Sequence, residues 1–332
     1  MAAGLFELRK DAITGWWVAT IVDRAFHRDR FALAAVQVDD GGHCQNCHEP
    51  PGDCVRLRTL KDFAFHVVGT EAEARALDQS LAQVAMSQAR ASGSWRTVVA
   101  PVGEHRALHT VGVELIAEML ECCRSTLASL RSAGVTDYVQ VVQNWGAQAG
   151  ARTNHLCLDL YDLPQVPHRV AEELGGAARF VIREGECPFC RLVREEARRP
   201  ERLIWEDRDS VAFAPYASRS PFEVWILPRR HDADFARAGR TDIASTAEAL
   251  RQVLGRLASL DGPPYNLVLH TAPLREQVDA TYHWHWEIHP RLREIAGLEL
   301  GTGLPVNPVS PEDAVDELLR QVGDEDDGSG RR

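Results

Sequence analysis

Every second residue of the run 283–289 carries a group that can bind a metal or move a proton. His283, His285, Glu287 and His289 alternate with Trp284, Trp286 and Ile288. In a β-strand alternate side chains point to one face. The three imidazoles and the carboxylate therefore line one side, and bulky apolar residues pack on the other. Such a row is costly to bury unless it holds a metal, an anion or a reacting group. The bland alternative, an exposed polar strand, fits poorly with so apolar an opposite face.

Matching donors lie upstream. Two Cys-x-x-Cys pairs occur, Cys44/Cys47 in CQNC and Cys187/Cys190 in CPFC. Each is followed by a histidine in a turn-like context, His105 or His231, and then by a strand histidine, His155 or His283. Two thiolates and two imidazoles form a tetrahedral set suited to zinc. The predicted ligands are Cys44, Cys47, His105 and His155 in one site, and Cys187, Cys190, His231 and His283 in the other. His109 rivals His105 as third ligand of the first site. The same order appears twice, about 125 to 145 residues apart, which indicates an internal duplication.

The elements that must position these groups follow from periodicity. Strands are predicted over residues 13–22, 31–38, 95–101, 138–144 and 155–160, with helices over 72–91 and 111–133. Residues 164–184 read as a linker with a short helix. The pattern then recurs, with a helix over 192–198, strands near 203–205, 211–215 and 222–228, a helix over 243–260, and strands over 265–270 and 282–289. The fold class expected is α+β, two similar halves, each an antiparallel sheet with a long helix against it. The first half spans 1–164 and the second 165–322, followed by an acidic tail, 323–332, expected to be disordered.

At 332 residues and 45% hydrophobic, the chain can bury a full core. A net charge of −11 argues against broad nucleic-acid affinity. No stretch approaches a membrane span of roughly 18 to 20 apolar residues. The N-terminal run lacks the basic-then-apolar layout of a secretory signal. Eight cysteines, four of them in ligand-like pairs, suit a reducing compartment, so a cytoplasmic protein is expected.

Several longer runs carry a family resemblance. They are LRKDAITGWWV and YVQVVQNWGAQAGA in the first half. In the second they are FAPYASRSPFEVWILPRRH, PPYNLVLHTAP, YHWHWEIHPR and IAGLELGTGLPVNPVSPEDA. On these the chain resembles the galactose-1-phosphate uridylyltransferase family of the histidine-triad superfamily. The resemblance implies duplicated histidine-triad halves, a homodimer, and exchange of a nucleotidyl group between a nucleotide sugar and a sugar 1-phosphate through a covalent nucleotidyl-histidine. It further implies substrate contacts at Asn144, Gly146 and Gly150, with Asn266 at the corresponding place in the second half. Arg152 stands where the family has a phosphate-contacting serine. Arg291, leaving the histidine strand at its edge, is a further phosphate candidate.

One departure decides where chemistry could sit. The family's first-half motif reads His-Pro-His-x-Gln, with its second histidine as nucleophile; here the segment is His155-Leu156-Cys157-Leu158-Asp159. Three readings follow. The second half could carry catalysis, with His285 as nucleophile, Glu287 holding the imidazole and His289 as a supporting donor. Cys157 could itself attack phosphorus. Or the chain could be an inactive nucleotide-binding relative. Phosphorolysis or hydrolysis of a dinucleoside polyphosphate or nucleotide sugar is a further alternative.

Overall fold

The computed structural model describes residues 6–21, 36, 47, 55–68, 88–134 and 136–326. Twelve strands are described: β1 (Phe6–Lys10), β2 (Trp17–Ile21), β3 (Arg56–Val68), β4 (Gln88–Val99), β5 (Tyr138–Trp145), β6 (Cys157–Leu163), β7 (Leu203–Glu206), β8 (Ser210–Phe213), β9 (Val224–Pro228), β10 (Tyr265–His270), β11 (His285–Pro290) and β12 (Val306–Asn307). The helices are α1 (Val113–Ala133), α2 (His168–Glu184), α3 (Pro188–Glu196), α4 (Arg240–Ala258), α5 (Gly297–Thr302) and α6 (Pro311–Asp326).

Nine strands form one sheet in the order β3-β4-β6-β5-β10-β11-β9-β8-β7, every neighbouring pair antiparallel. The duplication is written into its register. Asp159 pairs with Thr97 on one side and Val142 on the other, as Glu287 pairs with Trp225 and Val268. Cys157 thus corresponds to His285, and His155 to His283. The halves meet where β5 lies beside β10, with Asn144 directly opposite Asn266.

One face of the sheet carries α1 and α4. Buried Ile116, Leu120 and Leu127 of α1 and Leu250, Val253 and Leu254 of α4 join Leu158, Leu160, Trp284, Trp286 and Ile288 in one core. Phe235 meets Trp284 and Trp286 edge-on, at 5.1 and 5.8 Å between ring centroids. Each such buried side chain contributes roughly 1.5–3 kcal/mol. The tryptophans anchor β11 from behind, so the opposite row of donors is held rigidly.

The other face of the second half is covered by α2. Val170, Leu174, Ala177 and Phe180 recur at helical spacing and are buried, so 168–184 is a 17-residue helix rather than a linker with a short one. Three further expectations change, and a fourth lies outside the described residues. Residues 88–91 extend β4, because they pair with the end of β3 from Val68↔Gln88 onward; the rest of the predicted helix lies outside the described residues. The predicted strand 31–38 also lies outside them, apart from Val36. The N-terminal hairpin belongs with the second half, since β2 pairs with β12 and Ile13 packs in a cluster with Phe189, Trp225 and Tyr282. Finally, α6 runs to Asp326, so the expected tail begins as helix, there being no proline to stop it; 327–332 lie outside the described residues.

Candidate functional site

The second predicted metal site is assembled in full. Cys187, Cys190, His231 and His283 place one donor atom each within 4.8 Å of one another. Cys190 Sγ lies 3.1 Å from His231 Nδ1 and 3.7 Å from His283 Nδ1. The far nitrogen of each ring meets a carbonyl, His231 Nε2 that of Asp279 at 2.6 Å and His283 Nε2 that of Pro228 at 2.9 Å. Those carbonyls fix the tautomer that leaves Nδ1 free to ligate. The hydrogen bond from Cys190, with help from His283, pulls the Cys187 thiol down to about 4. The same contact and burial push Cys190 up. Two thiols and two imidazoles within 4.8 Å of one another form a donor set that fits a divalent cation.

The first site repeats the plan. Cys47 Sγ lies 3.1 Å from His105 Nε2 and 3.4 Å from His155 Nδ1, and His155 Nε2 faces the Ala100 carbonyl at 3.0 Å. His105 thus takes the place left open against His109, which lies in a short 3-10 turn, Leu108–Thr110, outside this cluster. Cys44 lies outside the described residues.

His285 is placed differently from what a nucleophile requires. It is fully buried, with its ring 5.0 Å from Trp225, 5.1 Å from Phe189 and 4.9 Å from His270 between centroids. Its Nδ1 donates to the His283 carbonyl at 3.0 Å, and Nε2 stands 3.8 Å from Glu287 Oε1. Burial pulls this imidazole down, but the Glu287 and Glu173 carboxylates outweigh it and leave it raised. An attacking nitrogen needs an open line to phosphorus, and α2 and α3 close this one. The cause is tertiary: the covering helices come from residues far from the strand.

Around His285 a buried set gathers that sequence reasoning missed. His270 Nδ1 donates to Glu173 Oε2 at 2.8 Å, and Tyr282 Oη donates to the same oxygen at 2.9 Å. Glu173, His270, His285 and Glu287 have donor atoms within 4.8 Å and could together hold a cation. The only sequence signal was His270 closing its strand after the apolar run Leu267–Leu269.

His289 opens onto a cleft. The cleft, about 690 Å³, lies over the join of the halves, and its lining includes Asn144, Asn266, His289, Arg169, Arg219, Arg291 and Arg293. Among the described lining residues His289 is the only histidine. Its Nε2 donates to Glu287 Oε2 at 2.9 Å. Glu287 is fully buried and also accepts from Arg169 at 2.7 Å and Arg219 at 2.9 Å. Burial would raise this carboxyl, but Arg219 and His270 hold it well below its ordinary value. It is therefore a fixed anion that orients an imidazole, the arrangement that general bases and activated nucleophiles share.

The remaining candidates divide. Asn266 Nδ2 donates to Asn144 Oδ1 at 2.6 Å and to the Ala149 carbonyl at 2.8 Å, tying the Gly146–Gly150 turn to β10. Asn266 therefore faces Asn144 across the join rather than holding the matching place, which the register gives to His270. Gly146 needs its glycine: φ is +84° and an added Cβ would lie 2.7 Å from Val36 Cγ2. Arg291 Nε donates to Asn266 Oδ1 at 2.6 Å at the cleft edge. Arg152 lies elsewhere, stacked over Trp95 at 4.1 Å and paired with Asp159 at 3.2 Å. Cys157 is half-buried and does not line the cleft.

Comparison with known proteins gives this geometry a family. The model of the family described as "Domain of unknown function (DUF4921)" matches residues 101–329, more than half of the chain. The chain belongs to the DUF4921 family. This DUF4921 chain is 34% identical over 211 residues to an ADP-glucose phosphorylase of Arabidopsis thaliana, covering 62% of the chain and 58% of that relative. It is 26% identical over 235 residues to a galactose-1-phosphate uridylyltransferase of Thermotoga maritima, covering 68% and 73%. The solved structure of the Arabidopsis ADP-glucose phosphorylase with bound ADP-glucose superposes with a TM-score of 0.71 at 26% identity, over 95% of this chain and 98% of that one. A solved uridylyltransferase superposes with a TM-score of 0.73 at 25% identity, over 96% and 99%. The DUF4921 chain thus has the α+β fold of these galactose-1-phosphate-uridylyltransferase-like enzymes. Among its described residues no helix is long and apolar enough to cross a membrane.

Proposed function

We propose that the chain transfers a nucleotidyl group from a nucleotide sugar, and that the transfer takes place in the cleft at the join of the halves. The observation that carries this reading is the His289–Glu287 pair facing a cleft lined by four arginines, in a chain of net charge −11. Clustered guanidiniums in an acidic protein suit a polyphosphate ester. His289 replaces His285 as the attacking group, because it alone of the two reaches the cleft. Its second nitrogen, Nδ1, attacks the α-phosphorus, the bond to the sugar phosphate breaks, and the sugar 1-phosphate leaves. Glu287 stabilises the imidazolium that forms. Arg291 and the side-chain amide of Asn144, both positioned by Asn266, hold the phosphates. An acceptor phosphate then displaces the nucleotidyl group from His289. Similarity to relatives named for phosphorolysis and for uridylyl transfer supports either inorganic phosphate or a hexose 1-phosphate as that acceptor.

The two Cys/His sets would hold structural zinc. In the complete one it would clamp α3 to the arm leading into β11; in the other, Cys44 would supply the fourth ligand. Both lie apart from the reacting imidazole.

The test is incubation with ADP-glucose and UDP-glucose carrying labelled α-phosphorus. An acid-labile, base-stable adduct is expected in the parent and in Cys157→Ala, and none in His289→Asn. An adduct that survives in His289→Asn refutes the role of His289. Binding without any adduct favours the non-catalytic reading.

A further inference from the structure

Two carboxylates buried side by side repel, and one takes up a proton unless a cation lies between them. Glu223 and Glu287 are 1% and 0% exposed, and together with His289 they place donor atoms within 4.8 Å of one another. Two carboxylates and an imidazole at that spacing are a ready ligand set for a hard divalent ion. The position between them is already taken. Arg219 Nη2 lies 2.7 Å from Glu223 Oε1, 3.0 Å from Glu287 Oε1 and 2.9 Å from Glu287 Oε2. One nitrogen meeting three carboxylate oxygens does the work of a point cation. Its chain is fixed at both ends, since the Arg219 backbone N–H donates to Glu223 Oε2 at 2.5 Å. Glu223 is held in turn by Trp225 Nε1 at 2.9 Å. On its other side Arg169 Nη2 reaches Glu287 Oε2 at 2.7 Å, from α2.

We infer that Arg219 is a built-in cation: it occupies the place a divalent ion would take between Glu223, Glu287 and His289, and so positions the Glu287–His289 pair toward the cleft. It is a positioning residue, acting on the imidazole through Glu287. A guanidinium gives this arrangement one fixed charge that no change in metal supply can remove. Arg219 also helps hold Glu287 below its ordinary value, so His289 Nε2–H keeps a carboxylate acceptor. The consequence for transfer rests on the reaction proposed above, but the occupancy of the carboxylate pair does not.

The discriminating experiment reads ion binding and needs no turnover. Zinc-loaded parent, Arg219→Ala and Arg219→Lys are titrated with Mn2+, the free ion being followed by electron paramagnetic resonance. Parent and Arg219→Lys, which both keep a cation, should bind none at this position. Arg219→Ala should bind one equivalent, and Arg219→Ala/Glu223→Gln should lose it. A folded Arg219→Ala that binds no Mn2+, or a parent that binds as much as the variant, overturns the inference. If Arg219→Ala fails to fold in Mn2+-free buffer, the inference requires Mn2+ in the refolding buffer to restore its circular dichroism and zinc content. Failure to do so overturns it equally. Because nothing is turned over, loss of this result leaves transfer at His289 standing. Absence of an adduct likewise leaves the ion titration interpretable.

Discussion

Replacing Glu287 by glutamine removes one charge and almost no volume, which makes it the cleanest probe of the cleft floor. The carboxylate is fully buried and faces Arg169 at 2.7 Å, Arg219 at 2.9 Å, His289 at 2.9 Å, His270 at 3.6 Å and His285 at 3.8 Å. Breaking a buried pair costs about 3–5 kcal/mol, because a charge is left uncompensated. The lower end applies here. Arg169 is 40% exposed and can turn to solvent, and Arg219 keeps Glu223. A loss of about 3 kcal/mol corresponds to a fall in Tm of about 6–12 °C at about 2–4 °C per kcal/mol. The pH dependence has a definite sign. Glu287 is held well below its ordinary 4.5, so the folded state binds fewer protons than the unfolded one there. Its contribution is present above the unfolded value and fades as pH falls below 4.5 toward the folded value. Urea titrations of parent and Glu287→Gln at pH 7, 5, 4 and 3 measure the difference. A gap of about 3 kcal/mol at neutral pH that closes on acidification is expected. Equal stability at pH 7, or a gap unchanged down to pH 3, would refute the reasoning.

Two further predictions concern metal and close packing. Purified protein should contain two zinc ions per chain by metal analysis, and Cys190→Ser should retain one and melt at lower temperature, because site assembly is coupled to folding; protein without zinc contradicts this. Gly176→Ala should destabilise by roughly 1–3 kcal/mol, as an added Cβ would lie 2.0 Å from the Ile13 carbonyl oxygen. The neighbouring Gly175→Ala, whose Cβ would meet only Arg179 Nη1 at 3.3 Å, should be neutral or stabilising, as a helix interior prefers alanine. Thermal melts of the two variants side by side check the pair.

The order of ligands along the chain determined much of this protein. Alternation over 283–289 placed four donors on one face and three apolar side chains on the other, and the structure keeps that division, with Trp284 and Trp286 in the core. The repeated Cys/His order marked the two halves, and the register aligns Asp159 with Glu287, two residues after Cys157 and His285 respectively. These features are legible because side-chain period and ligand spacing are local properties of the backbone. What the tertiary structure alone decided is which donor meets solvent. His285 and His289 are four residues apart on one strand face, yet one lies under Phe189 and Trp225 and the other lines the cleft. That difference is made by α2 and α3, which cover His285. The contact of α2 with β11 spans more than a hundred residues, Arg169 meeting Glu287. Likewise Glu173, His270 and the contact of Arg219 with Glu287 carried no spacing signal, because their partners are brought together only by the tertiary fold. A charge on one strand reports nothing about the charge that will face it until the chain has closed around both.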